Sequence, residues 1–277
     1  MANTTPYLIA VLVIFIILSL PTFFILWRHG KRGSAYLGWG YLLLFCSLKV
    51  ISSGLGLADS QSPGSIVVSS IGLSPLLLSL AGILHEARFY HGIPENRHSS
   101  HREKRLTTLH HSLTMLGVVL VAIGMSKLAG NTSEDVVAQG WKLAKVGGVI
   151  LFLSWLSLAA ATTLSAFAGY LRIDSHPQKN VSRLLLIGVL VSLPLVGVRV
   201  IATLAYLVTQ ERSLSAVTGS IGVRIGLYLF EEVAATLILI FAGICTRDVR
   251  KLPEDAEVLD ASVLREAVDV GQSFQRK

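Results

Sequence analysis

Long apolar runs, separated by short charged segments, set the pattern of this chain. Seven of them, at roughly 7–27, 36–57, 64–84, 106–126, 143–167, 184–208 and 223–245, reach the length of about 20 residues that an α-helix needs to cross a bilayer core. Inside hydrocarbon every backbone polar group must be satisfied within the segment, so each run is predicted to be a helix. The pattern predicts an all-α membrane protein, a bundle of seven transmembrane helices. Residues 1–246 form the membrane domain and residues 247–277 a tail. In that tail Leu259, Val263, Ala267 and Val270 make an apolar stripe at helical spacing, which predicts a short amphipathic helix.

Composition agrees. Charged residues make up 15% of the chain, against about 25% in a typical soluble domain. The first run lacks a basic leader and a small-residue cleavage site, so it reads as a span and not as a signal peptide. Lysine and arginine fix the orientation. Arg28, Lys31 and Arg32, then Arg88, Arg97, Arg102, Lys104 and Arg105, then Arg172, Lys179 and Arg183, then Arg247, Arg250 and Lys251 lie on one side, against Lys127, Lys142 and Arg212 on the other. This asymmetry places the N-terminus outside and the C-terminus in the cytosol. The sequons at Asn3 and Asn131 then fall outside, as glycosylation requires. The net charge of +7 belongs to cytosolic segments facing anionic lipid and does not indicate nucleic acid. Cys46 and Cys245 lie at different depths, too far apart to bridge. The expected location is the endoplasmic reticulum or the plasma membrane.

Most connections are short. The exception is 85–105, HEARFYHGIPENRHSSHREKR, which reads as a basic, histidine-rich cytosolic loop broken at Gly92-Ile93-Pro94. This loop and the tail helix are the places where a cytosolic partner would dock. Pro21, Pro75 and Pro194 lie inside spans one, three and six, and each frees a carbonyl that packing must satisfy again.

Five ionisable residues lie where charge is costly: Lys49 in span two, Arg199 in span six, and Arg224, Glu231 and Glu232 in span seven. Each costs at least about 2.5–3.5 kcal/mol at mid-membrane. Arg224, Tyr228, Glu231 and Glu232 share one side of span seven, and Ser192, Arg199, Thr203 and Tyr206 one side of span six. If these faces meet near Lys49 and Ser74, they line a polar pocket. In it Glu231 or Glu232 is the candidate acid, because adjacent carboxylates repel and one of them can keep its proton. Lys49, Ser74, Arg199, Tyr206, Arg224 and Tyr228 are the candidate ligand-binding residues. The alternative is an ion pair that only locks spans six and seven. The histidines, including His98, His101, His110 and His111, match the boxes of membrane di-iron oxygenases poorly, so no metal or other cofactor is expected. Span seven has no lysine for a retinal Schiff base, and no Walker, GxSxG or HExxH motif occurs.

Four segments carry a resemblance: WRHGKRGSAYLGWGYLLLFCSLKVISSGLGLA (27–58), IGLSPLLLSLAGIL (71–84), GVRVIATLAYLV (197–208) and LYLFEEVAATLI (227–238). In these the chain resembles a family of uncharacterised fungal seven-span integral membrane proteins. The resemblance implies the seven-span fold and a fungal source. Some family members sit among genes of secondary metabolism, which implies a biosynthetic role. Small membrane-bound meroterpenoid cyclases offer an analogy of architecture only. The leading expectation is a pocket for a small lipophilic molecule, used by an acid-catalysed cyclase or isomerase of secondary-metabolite biosynthesis. The alternatives are a receptor or sensor that signals through its loop and tail, and a transporter.

Overall fold

A computed structural model describes residues 5–29, 33–59, 63–91, 97–130, 133–170, 177–216 and 219–246. Among these, all regular structure is helical. Asn3, Asn131 and the tail lie outside the described residues, as does the 92–96 stretch of the histidine-rich segment. Helix α1 covers Thr5–His29, α2 Gly33–Ala58, α3 Pro63–Ile71, α4 Leu73–His91, α5 Arg97–Gly130, α6 Glu134–Ser165 and α7 Pro177–Thr209. The last span is composite: α8 (Ile221–Arg224), a π-helical turn (Ile225–Leu229) and α9 (Phe230–Cys245). Seven spans are long and apolar enough to cross a membrane: 5–28, 36–58, 67–91, 107–129, 134–168, 179–209 and 221–245. Each overlaps an expected run.

Two spans differ in form from the expectation. Span three is broken at Gly72 into α3 and α4, and it continues as helix to His91. The break follows from Pro75, which has no N–H to give the carbonyl of Ile71, four residues back. The Ser74 hydroxyl donates to that carbonyl instead. The extension is a correction to the reading of 85–105 as a loop. Nothing in HEARFYH breaks a helix before Gly92, so the helix runs on, and α5 resumes at Arg97.

The order of packing is α1 on α2, α2 on α4, α4 on α7, and α7 on both α6 and α9, with α5 against α6 and α3 against α2 and α5. Neighbouring spans run antiparallel, and individual contacts fix their register. Leu8 meets Gly56 where α1 starts and α2 ends, and this face of the bundle is called upper here. Toward the opposite, lower face, Ile25 and Trp39 lie against Gly243. The α3–α4 span is the most buried of the seven and forms the centre of the core.

Small residues set the closest approaches. A Cβ added to Gly82 would lie 2.5 Å from the Cα of Gly38, so α2 and α4 touch backbone to backbone. Gly124 against Gly140 and Gly117 against Gly147 do the same for α5 and α6. Without a hydrophobic drive between helices in lipid, such close contact is a main source of association. At Pro194 the indole of Trp155 packs over Gly197 and donates to the carbonyl of Leu193 at 3.0 Å, which ties α6 to α7 beside its proline.

Gly82→Ala is expected to destabilise the protein by about 1–3 kcal/mol, because neither backbone can yield to the new methyl group. Gly40→Ala, with open space around it, should be neutral or stabilise by up to about 1 kcal/mol. Thermal melting of both variants in detergent, against wild type, checks the contrast.

Candidate functional site

Three spans bring charge to one depth. Nine residues separate Lys49 from the upper end of its span at Ala58, ten separate Arg199 from Thr209, and eleven separate Glu232 from Ile221. At about 1.5 Å per residue all three lie about 14–17 Å inside the bundle. There they meet. The Glu232 carboxylate takes the Lys49 Nζ at 2.6 Å on Oε2 and the Arg199 Nε at 3.2 Å on Oε1. The Arg199 contact is close but poorly aligned, since its Nε–H makes no hydrogen bond of good geometry. It is held by charge. All three side chains are buried.

Each arm of this cluster has a local cause. Lys49 reaches over the break in span three: a Cβ on Gly72 would sit 3.4 Å from its Cε. Glycine leaves room for the lysine stem beside the C-terminal end of α3, whose partial negative charge favours the ammonium. The lysine also faces the ring of Phe45, 5.8 Å from its centroid. Arg199 sits over Tyr228, its guanidinium carbon 3.9 Å from the ring centroid. Tyr228 is fixed from above, because its hydroxyl donates to the carbonyl of Leu214 in the 3₁₀ turn Arg212–Leu214. One turn above Tyr228, Arg224 covers the ring of Tyr7 on α1, 4.2 Å from its centroid. The π turn Ile225–Leu229 lies between Arg224 and the acid pair. Single π turns inside α-helices recur at functional sites.

The two adjacent acids have different surroundings. Glu232 serves two cations. Glu231, also buried, keeps an oxygen, Oε2, without a hydrogen-bond partner among the described residues. Arg199 Nη1 and Arg224 Nε are likewise buried and unmatched. A buried polar group left unpaired costs about 1–3 kcal/mol, and more when charged. Two donors and one acceptor are thus left open within a few turns of each other.

Not every expected residue joins the cluster. Ser74 spends its hydroxyl proton on Ile71 and shapes the joint in span three. Tyr206 stands seven residues above Arg199 and packs edge-on against Trp141 of α6, ring centroids 6.0 Å apart.

A family model described as a domain of unknown function, DUF7702, matches residues 6–249. The chain belongs to the DUF7702 family. Neither a curated protein nor a solved structure matches it. The DUF7702 match takes in Tyr7 and every member of the charged cluster.

The DUF7702 fold also holds a buried acid that the sequence reading placed in a cytosolic loop. Glu86 on α4 is fully enclosed and accepts the indole N–H of Trp39 at 2.9 Å. Its other oxygen, Oε1, has no partner among the described residues. Nearby, Ser182 of α7 donates to the carbonyl of Ala87, and Arg88 donates to Ser165 and the carbonyl of Ala161 on α6. The signal that could have found Glu86 is the unbroken helical run up to Gly92. Tyr7 was missed for another reason: it is a lone aromatic near the start of span one, with no charge or spacing to mark it. His110 and His111 sit at the lower end of α5 and hold Ser157 and the carbonyl of Thr107 respectively. Among the described residues no three His, Cys, Asp or Glu side chains gather as metal ligands do.

Charge counting ranks the variants. Glu232→Gln leaves Lys49 and Arg199 buried together without their counter-ion and should cost about 3–5 kcal/mol. Lys49→Met leaves a balanced Arg199–Glu232 pair and should cost clearly less. Melting temperatures in detergent test the order. Equal losses for the two variants would count against the shared carboxylate.

Proposed function

We propose that this protein is an integral membrane enzyme acting on a small lipophilic molecule, an acid-catalysed cyclase or isomerase, with the cluster around Glu232 as its active site. The observation that carries this reading is the free buried oxygen of Glu231, adjacent in sequence to a carboxylate already committed to two cations. Glu231 is the proton donor and Glu232 the counter-ion that holds Arg199 and Lys49 in place. Proton transfer from Glu231 to an alkene or epoxide generates a carbocation. The cation loses a proton from a neighbouring carbon, directly in an isomerisation or after ring closure has moved the charge to another carbon in a cyclisation, and that proton restores Glu231. The overall change is redox-neutral and calls on the fixed dipoles of a water-poor site rather than a cofactor. The same reading takes the N-terminus as outside, the source as fungal and the chemistry as part of secondary metabolism.

A second reading, a transporter, is favoured by one feature. Span three is discontinuous at the depth of the charges, with Lys49 beside the break. Transporters often build substrate and ion sites from such half-helices.

Metabolite profiling by mass spectrometry separates the two. A strain lacking the gene is compared with strains restored by wild type, Glu231→Gln or Arg199→Lys, each with protein abundance measured. The enzyme reading predicts a precursor that accumulates in the deletion and the Glu231→Gln strain, with turnover per protein molecule down at least about 100-fold. A compound unchanged in structure but displaced between cells and medium would favour transport. Normal product formation by Glu231→Gln would refute the catalytic assignment.

A further inference from the structure

The cluster is short of negative charge. Three buried cations, Lys49, Arg199 and Arg224, face two buried carboxylates, Glu231 and Glu232, within two turns of span seven and its neighbours. Among the described residues one positive charge is left over even with both acids ionised, and a buried charge without a counter-ion is expensive. The two arginines are also held in an unusual way. Each lies over an aromatic ring, Arg199 on Tyr228 and Arg224 on Tyr7. An aromatic ring attracts the guanidinium charge but leaves N–H groups open to other partners. Of these groups, Arg199 Nη1 and Arg224 Nε have no partner among the described residues. Tyr228 and Arg224 are four residues apart in span seven, so the two guanidinium groups stand at successive levels.

We propose that this site takes an anionic amphiphile, with its carboxylate or phosphate on the open N–H groups of Arg199 and Arg224 and its apolar tail between the helices. This rests on the reading of the cluster as a ligand site and names the class of molecule that site selects. A planar anion matches the guanidinium edge and supplies the missing charge, and oxyanion–arginine hydrogen bonds are among the strong ones. A neutral alcohol or ester of the same chain length supplies neither. The anion is either free, as a fatty acid is, or the headgroup of a bilayer phospholipid.

The test uses the full-length protein in nanodiscs of phosphatidylcholine. A fluorescent fatty acid is displaced by oleic acid, oleyl phosphate, oleyl alcohol or methyl oleate. Oleic acid or oleyl phosphate should compete at least about tenfold better than the alcohol or the ester. Arg199→Gln and Arg224→Gln should each weaken the anions by about 10- to 100-fold, the loss expected for one charged hydrogen-bonding group, and leave oleyl alcohol unchanged. Among the described residues the ion pairs of Glu232 are with Lys49 and Arg199 and not with Arg224, so the Arg224 variant keeps the test sound if Arg199→Gln fails to fold. Doping the discs with phosphatidic acid separates the sources: displacement of the probe assigns the anion to a bilayer lipid, and retention assigns it to a free acid. Saturable binding that ignores the headgroup, or that Arg224→Gln does not alter, overturns this inference alone. Absence of saturable binding by every probe overturns the ligand site as well.

Discussion

A carboxylate about 15 Å inside a helical bundle must meet positive charge before the surrounding helices can settle. Here one carboxylate, that of Glu232, meets two cations from two other spans. The contact is therefore a joint between spans two, six and seven as much as an ion pair. Its strength and its cost come from the same low dielectric. Desolvating the three groups takes several kcal/mol each, and only close mutual contact offsets that. The neighbouring irregularities can be understood from this joint. Gly72 opens span three so that Lys49 can pass. The π turn separates Arg224 from the acid pair on the opposite side of the site. Tyr228, tied to the carbonyl of Leu214, gives Arg199 a surface to lie on.

The functional reading grows from what this joint leaves over. Glu232 is occupied, whereas Glu231 has an open oxygen. Two arginines are stacked but not saturated. A purely structural lock would be expected to close on itself, since each unmet polar group lowers stability. A site for an acid-catalysed step needs such open groups, held rigidly and away from water. The same economy of position appears at the lower face, where Glu86 is held by Trp39, whose ring packs under Gly243. That second acid is held by α2, the helix that also carries Lys49, and pairs with none of the cluster's cations among the described residues.

Much of this was legible before the structure. Seven apolar runs predicted seven spans, because twenty residues of uninterrupted hydrophobicity have few other uses. The cluster was foreshadowed by charges whose burial is costly and by their helical spacing. What could not be read was partnership. Nothing in one chain says that Glu232, and not Glu231, takes both Lys49 and Arg199, since adjacent helical positions differ by about 100° and a π turn shifts the phase. Ser74 looked like a pocket residue, but it compensates for Pro75 one position later. Tyr206 had the right spacing on span six, but spacing could not show that its ring packs against Trp141 of α6. Glu86 was hidden because HEARFYH is polar enough to resemble a loop, although it contains no residue that stops a helix.

The shared carboxylate can be tested most directly by a double-mutant cycle between Lys49 and Glu232, with unfolding free energies measured in one detergent for wild type, Lys49→Met, Glu232→Gln and the double variant. A buried, directly contacting pair should show a coupling energy in the upper part of the usual 0.5–3 kcal/mol range, about 2 kcal/mol or more. Losses that simply add would mean that the two residues do not touch, and the account of the joint would fail.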